Sequence, residues 1–215
     1  MIKRLIPLAL LAVSVAMCAV PALASAQEIH LEPAEAFNIA GSGGELRGEG
    51  EPTITCTTTS GTGSFNAGST TTGTSTLDFT GCHTSVFGFT ASCNTSGAAS
   101  GTVTSSGAWH MATLFPGIPI TLWTLNPTTI ICAGISNITV SGNLIGTITS
   151  PKCGESSKTL TESFTGTGTV QNHLSYTGTK YDLVSKTGSE GALRTAAWVG
   201  TLTNTQSSAG KLNCT

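Results

Sequence analysis

Side chains that could carry acid–base or nucleophilic chemistry are few and widely spaced in this chain of 215 residues. It has two aspartates, and one of them, Asp78, is the only charged residue between Pro52 and Pro151. The four histidines are His30, His83, His110 and His173. Serine is abundant, but no Gly-x-Ser-x-Gly turn presents one as a nucleophile, and no spacing indicates a Ser–His–Asp triad. The pattern favours a protein that is not an enzyme.

The nearest approach to a metal-binding motif is the adjacent pair Cys82 and His83. No Cys-x-x-Cys or His-x-x-x-His unit accompanies this pair, although zinc sites usually contain such spacings. Oxidation of Cys82 would also remove the thiolate that a metal needs. We therefore expect no metal and no other cofactor, and we interpret His83 as a turn residue.

Glu162 and Arg194 form the most interesting charged pair. Glu162 stands between Leu160 and Phe164 in an alternating pattern, and Arg194 precedes Ala196 by two residues. If the apolar members of both patterns face inward, the two charged side chains do so as well. Because a buried carboxylate alone is costly, an ion pair is the natural arrangement. The pair either caps the core near a rim or lines a ligand cavity, and the sequence leaves both interpretations open.

Cysteine usage indicates an oxidising compartment. Six of the seven cysteines follow the N-terminal segment, and an even number in an exported chain predicts three disulfides. Sequence alone does not fix the pairing, but we favour a sequential one: Cys56–Cys82, Cys93–Cys132 and Cys153–Cys214. Closing loops of these lengths stabilises a fold by up to about 3.5–4.5 kcal/mol each.

The N-terminus has the three-part pattern of a secretory signal peptide. Lys3 and Arg4 precede an apolar run over residues 5–20, and small residues follow near position 26. We predict a signal peptide over residues 1–26 with cleavage between Ala26 and Gln27. Without Lys3 and Arg4, seven basic residues face eleven acidic ones, a net charge of −4. The protein is thus expected to be secreted or in the cell envelope, and not to bind nucleic acid.

Residues 27–52 differ in composition from the rest of the mature chain. They hold most of its acidic residues, crowded among glycines: Glu28, Glu32, Glu35, Glu45, Glu49 and Glu51. Glycine-rich segments such as residues 41–44 behave as flexible linkers. We interpret residues 27–52 as a flexible acidic arm, with one short strand near residues 36–40 at most.

Residues 53–215 alternate with a period of two. Phe87, Phe89 and Cys93 share one parity, and Ile138 and Val140 do so further along the chain. Threonine occupies many of the intervening positions, where a β-branched residue fits a pleated sheet. Short runs of this kind, separated by Gly and Asn turns, predict one all-β domain. We expect an antiparallel β-barrel or β-sandwich of about 9–12 strands, stapled by disulfides.

Residues 108–125 carry apolar side chains at both parities, including Trp109, Met111, Leu122 and Trp123. This pattern predicts a hairpin buried on both faces. A hairpin that inserts into a membrane would have a similar composition, since these residues carry no formal charge. The central core hairpin is the simpler interpretation, and we do not expect membrane insertion.

Five groups of residues resemble a known group of proteins: Thr55-Cys56, residues 79–82 (Phe-Thr-Gly-Cys), residues 93–97 (Cys-Asn-Thr-Ser-Gly), Cys132, and residues 140–146. Together they resemble the uncharacterised exported Cys/Thr/Gly-rich β-proteins of actinobacteria, over about residues 53–150. The shared motifs are cysteines and glycines of a structural kind. The resemblance implies an exported β-protein and no particular activity, and Cys153 and Cys214 are additions to the shared pattern.

The leading functional interpretation is a non-enzymatic, exported protein of the cell envelope or the extracellular space, with a structural or surface-interaction role. Such a role predicts an exposed apolar or aromatic patch. The alternative is a β-barrel carrier of a small molecule or lipid, which needs an enclosed apolar volume of several hundred Å³ with Glu162 or Arg194 at its wall. A secreted hydrolase comes third, and needs a histidine near a carboxylate and a hydroxyl. Candidate partners are an envelope component or a small apolar ligand, and the oligomeric state is open.

Overall fold

The computed structural model describes residues 28–115, 118–172 and 175–214, and within these ranges it contains strands and no helix. The prediction of an all-β fold is confirmed. The predicted signal peptide and its cleavage between Ala26 and Gln27 lie outside the described residues. The strands are β1 (Ile29–Glu32), β2 (Phe37–Gly48), β3 (Ile54–Phe65), β4 (Thr72–Thr80), β5 (His83–Val86), β6 (Phe89–Thr95), β7 (Val103–Phe115), β8 (Ile118–Cys132), β9 (Ser136–Ser150), β10 (Ser156–Phe164), β11 (Gly166–Thr167), β12 (Val170–Gln171), β13 (Ser175–Tyr176), β14 (Thr179–Lys180), β15 (Leu183–Thr187) and β16 (Arg194–Cys214).

Eight of these strands close into an antiparallel barrel. β2, β3, β4, β7, β8, β9, β10 and β16 follow one another both along the chain and around the ring, and β16 pairs back with β2. Closure removes the exposed strand edges that an open sheet would present. The barrel form of our prediction is therefore confirmed, with eight strands in the ring and the shorter strands added to it.

Short strands complete the ring where a main strand stops. The β5–β6 hairpin fills the space between β3 and β8 beyond the ends of β4 and β7, and β15 takes the place of β10 between β9 and β16. We call this end of the barrel the hairpin end; it also carries the turns at residues 49–53, 133–135 and 188–193. The opposite end is the β1 end, where β1 lies along the last residues of β16.

The interpretation of residues 27–52 as a flexible arm is wrong for the described part of that segment. β2 is a full barrel strand, paired with β16 on one side and β3 on the other, and its Phe37 and Ile39 face the core. The glycines that suggested flexibility allow close packing instead. A Cβ added to Gly44 would lie 2.8 Å from the indole nitrogen of Trp198. Outside the barrel, the carboxylate of Glu45 pairs with Arg47.

The hairpin of β7 and β8 is buried on both faces, as predicted. Trp109 and Trp123 point into the barrel, whereas Ile120 and Leu122 belong to a second apolar cluster on its outer face. Tyr176, from the segment between β10 and β15, covers that cluster. The outer apolar face is thus used for packing within the chain. Across the described ranges, no helix is long and apolar enough to span a membrane.

All three disulfides form with the predicted sequential pairing. Cys56 bonds to Cys82, Cys93 to Cys132 and Cys153 to Cys214, across sequence separations of 26, 39 and 61 residues. The first two lie inside the core near the base of the β5–β6 hairpin, and the third joins the β9–β10 connection to the end of β16. The disulfides therefore hold the added hairpin and the C-terminus to the barrel.

Candidate functional site

A buried carboxyl group lies inside the barrel, as the alternation of β10 predicted. Glu162 is 2% exposed and stands between Leu160 and Phe164, which are also buried. Its neighbours in the wall are Ile148 on β9 and Leu202 on β16. A carboxyl group in such apolar surroundings requires compensating polar partners.

Three polar side chains surround the Glu162 carboxyl group. The Trp123 indole Nε1 donates a hydrogen bond to Oε2 at 2.9 Å, and the Asn204 amide donates one to Oε1. The Thr121 hydroxyl is also near, but it does not reach hydrogen-bond geometry. Complete burial raises the pKa of the Glu162 carboxyl above its ordinary value, and these three groups lower that pKa only in part.

The predicted ion pair between Glu162 and Arg194 does not form. Arg194 is exposed at the hairpin end, where its guanidinium Nη1 donates to the backbone carbonyl of Glu49 at 3.3 Å. Arg194 is the first residue of β16, whereas Ala196, two residues further, is buried. The alternating pattern therefore predicted correctly that Ala196 faces the core. Arg194 has the same parity, but it lies at the rim of the barrel, where the wall no longer encloses the core.

Three further buried polar atoms close to Glu162 have no hydrogen-bond partner among the described residues: Trp109 Nε1, Thr121 Oγ1 and Asn204 Oδ1. The side chains of these residues and of Glu162 line one cavity of about 30 Å³ at the β1 end of the barrel. Native structures rarely leave buried polar atoms unpaired. Their concentration at one cavity marks it as a candidate binding site.

A second, apolar cavity of about 80 Å³ lies inside the barrel. Side chains from all parts of the wall line it, including Leu46, Ile54 and Trp198, and Trp123 borders both cavities. Neither Glu162 nor Arg194 is at its wall. Its volume falls short of the several hundred Å³ expected for a carrier of a small molecule or lipid, because large side chains fill the interior.

The groups that suggested catalysis or metal binding are engaged in local contacts. His30 Nδ1 lies 3.0 Å from the Thr70 hydroxyl, and His83 Nδ1 lies 3.0 Å from the backbone carbonyl of Gly81. His173 is outside the described residues. Asp78 accepts a hydrogen bond from Thr104 at the barrel surface. Within the part of the chain that the structure describes, no three potential metal-ligating His, Cys, Asp or Glu side chains come together.

The tip of the β5–β6 hairpin is the second candidate site, and sequence reasoning placed its side chains wrongly. The alternating pattern put Phe87 and Phe89 on the same side of one strand as Cys93, which is buried, but the two phenylalanines are 97% and 77% exposed. Phe87 and Gly88 have positive φ angles, 50° and 82°, and Val86 pairs with Phe89. These four residues thus form a two-residue hairpin turn, which reverses the chain before the pattern can continue. We call Phe87, Gly88 and Phe89 the aromatic tip.

The aromatic tip projects beyond the barrel wall. β5 pairs with β3 only as far as Thr84, and β6 pairs with β8 from Cys93 onward. The intervening residues 85–91 pair within the hairpin, so the tip extends about 10 Å past its neighbours. The sequence signal for this turn was Gly88, which stands between the two phenylalanines.

Comparison with family models, curated proteins and solved structures finds no match for this chain.

Proposed function

We propose that this protein is an exported, non-enzymatic surface-interaction protein that contacts neutral lipid surfaces through the aromatic tip. The observation that carries the proposal is the exposure of Phe87 and Phe89 on a projecting hairpin. Two neighbouring aromatic residues exposed together form a contiguous apolar patch, and the largest such patch on a protein is often an interaction site. The signal-peptide pattern of residues 1–26 and the three disulfides support action outside the cytoplasm.

The backbone at Phe87 supports a functional role for its ring. A positive φ is unfavourable for a bulky residue, by about 1–2 kcal/mol, and Asn or Gly normally occupies such a turn position. At 97% exposure the ring of Phe87 gains almost nothing from packing within the chain. A strained, exposed aromatic residue is best explained by a contact that forms outside the molecule.

The chemistry of the tip favours a lipid surface over a protein partner. Two rings at these exposures offer about 350 Å² of apolar area, less than half of what one partner of a stable protein interface usually buries. Lipid docking requires no matching surface, because each ring partitions independently. Burial of both rings would contribute about 3–6 kcal/mol, enough for weak and reversible binding.

Charge selects the kind of lipid. Residues 84–95 carry no charged side chain, and the same end of the barrel has three acidic residues, Glu49, Glu51 and Glu190, against two basic ones, Lys186 and Arg194. A tip without Lys or Arg gains nothing from anionic headgroups. Leu193, 65% exposed at the same end, would add a further apolar contact with a neutral surface.

Flotation of the processed, oxidised protein with phosphatidylcholine vesicles tests this proposal. We expect Phe87→Ser and Phe89→Ser each to weaken binding by about tenfold or more. Ile118→Ser is the matched control, because Ile118 is 41% exposed at the opposite end of the barrel. The proposal fails if the wild type does not float, or if the tip variants float as it does. Cross-linking through position 87 to another protein, without vesicle binding, would also contradict it.

A further inference from the structure

The polar cavity at the β1 end has the chemistry of a ligand site that the aromatic tip does not use. Its buried polar lining includes Glu162, Asn204, Thr121 and Trp109, each less than a tenth exposed. Three of these side chains offer acceptors at the cavity: the Glu162 carboxyl group, which already accepts from Trp123 and Asn204, and the unpaired Asn204 Oδ1 and Thr121 Oγ1. One donor, Trp109 Nε1, is also unpaired among the described residues.

Aromatic rings form another part of the lining. Phe37, Phe65 and Trp109 contact one another with ring centroids 4.8–6.1 Å apart, and all three border the cavity. Rings next to a carboxyl group form the usual surroundings of a bound ammonium ion, because the ring faces attract a cation. No cationic side chain of the described residues hydrogen-bonds to Glu162, whose partners are neutral.

The barrel wall is interrupted beside this cavity. The ladder between β10 and β16 jumps from Ser157 opposite Gly210 to Thr159 opposite Thr205, so residues 206–209 have no partner on β10. Lys158 lies in this interruption, is exposed, and borders the cavity. Ser157, Lys158 and Thr159 at this interruption all border the cavity, so we infer that a ligand enters here.

The carboxylate of Glu35 holds the β16 side of this interruption. Glu35 accepts hydrogen bonds from the hydroxyl groups of Ser207 and Ser208, and the charge of Lys158 helps to lower the pKa of Glu35. The segment opposite β10 is thus held by side-chain contacts and not by a strand ladder. Contacts of this kind open more easily than a continuous ladder.

We propose that this cavity binds a small primary ammonium compound that also carries a hydroxyl group, that is, a compact amino alcohol. The ammonium N–H groups donate to Glu162, Asn204 and Thr121, and the hydroxyl oxygen accepts from Trp109 Nε1. A cavity of about 30 Å³ holds roughly two or three water-sized groups, which limits the ligand to a few heavy atoms. The bound cation would compensate the buried carboxylate, which the described side chains leave without a counter-charge.

Three probes of nearly equal size separate the elements of this proposal. Ethanolamine has both groups, ethylene glycol replaces the ammonium group by a second hydroxyl, and ethylammonium lacks the hydroxyl. The indole N–H resonances of Trp109 and Trp123 report binding in the full processed protein. We expect ethanolamine to shift both resonances saturably, ethylammonium to bind more weakly, and ethylene glycol to cause no saturable shift.

Variants then assign the binding to the cavity. Glu162→Gln keeps the shape of the side chain and should weaken ethanolamine binding by about tenfold or more, because a charge-assisted contact is lost. Trp109→Phe keeps an aromatic ring but removes the indole N–H donor. In this variant ethanolamine and ethylammonium should bind equally well, as measured by the shift of the Trp123 indole N–H resonance. Asp78→Asn is the matched control, since Asp78 is a carboxylate at the barrel surface.

Several outcomes would overturn the proposal. Absence of a saturable shift with either amine would mean that the cavity holds only ordered water. Equal binding of ethanolamine and ethylene glycol would remove the ammonium assignment. Ethanolamine binding that survives Glu162→Gln unchanged, in a variant with a normal melting transition, would place the amine elsewhere. None of these results bears on vesicle binding, because the aromatic tip lies at the other end of the barrel.

Discussion

Replacement of Phe87 by asparagine should make the protein more stable and at the same time weaken lipid binding by about tenfold or more. The turn needs positive φ at both central residues, 50° at Phe87 and 82° at Gly88. Asn-Gly is the preferred pair for such a turn, whereas phenylalanine disfavours the first position. Phe87→Asn therefore creates a favourable turn without changing the residues that pair on either side.

The size of the effect follows from two terms. Relief of the positive φ strain is worth about 1–2 kcal/mol, since asparagine tolerates this conformation far better than phenylalanine. The loss of packing is small, because Phe87 is 97% exposed. A net gain of about 1 kcal/mol in the free energy of unfolding should raise the melting temperature by about 2–4 °C for a domain of this size.

Thermal unfolding followed by circular dichroism measures this shift. Phe89→Asn is the control, because Phe89 lies in β6 and its backbone has no positive φ to relieve. It should leave stability unchanged or lower it slightly, through loss of β propensity. An unchanged or lower melting temperature for Phe87→Asn would refute the reasoning that strain is held at Phe87 for a contact outside the molecule.

Three further changes test other parts of the structure. The double variant Cys153→Ser/Cys214→Ser opens a loop with a sequence separation of 61 and should lose about 4 kcal/mol, seen as a lower denaturant midpoint with a steeper slope, because the unfolded chain is less constrained. Glu162→Gln should gain stability relative to the wild type as pH rises from about 4.5, because the native carboxyl keeps its proton to higher pH than the unfolded one. Denaturation of both proteins at several pH values checks this, and a difference that is independent of pH would contradict it. Gly44→Val should destabilise the fold by about 1–3 kcal/mol, because its side chain would collide with the ring of Trp198; unchanged stability would mean that residues near Gly44 are not packed in the barrel.

Much of the fold could be predicted because it depends on local patterns. Alternation along β9 and β10 placed Ile138 and Glu162 on the inner face, and apolar residues at both parities identified the doubly buried hairpin of β7 and β8. The sequential disulfides join strands that the barrel brings close together; Cys93 and Cys132, for example, are opposite each other in register. These features require no knowledge of distant contacts.

The errors arose where a local pattern has two physical causes. Glycines at positions such as Gly44 signal either flexibility or close packing, and only the position of Trp198 decides between them. Parity assigned Arg194 to the interior, but it could not show that the residue lies beyond the rim. The alternation through Phe87 and Phe89 continued across a turn that reverses the strand.

The partners of Glu162 could not be predicted at all. Trp123 and Asn204 lie 39 and 42 residues away in sequence, on β8 and β16, and barrel closure alone brings them to one carboxyl group. Both residues looked like ordinary members of alternating strands. Buried networks of this kind depend on the register of several strands at once, which the sequence does not reveal locally.

The contact between the aromatic tip and a neutral lipid surface can be tested most directly with a single fluorescent ring at its apex. The variant Phe87→Trp places a tryptophan at a 97% exposed position, while native Trp109 and Trp123 are 5% and 3% exposed and Trp198 is partly buried against the core, so these three give a constant background. With phosphatidylcholine vesicles, its additional emission should shift to shorter wavelength, and brominated acyl chains should quench it. Emission that stays unshifted and unquenched at high lipid concentration would contradict the proposed function.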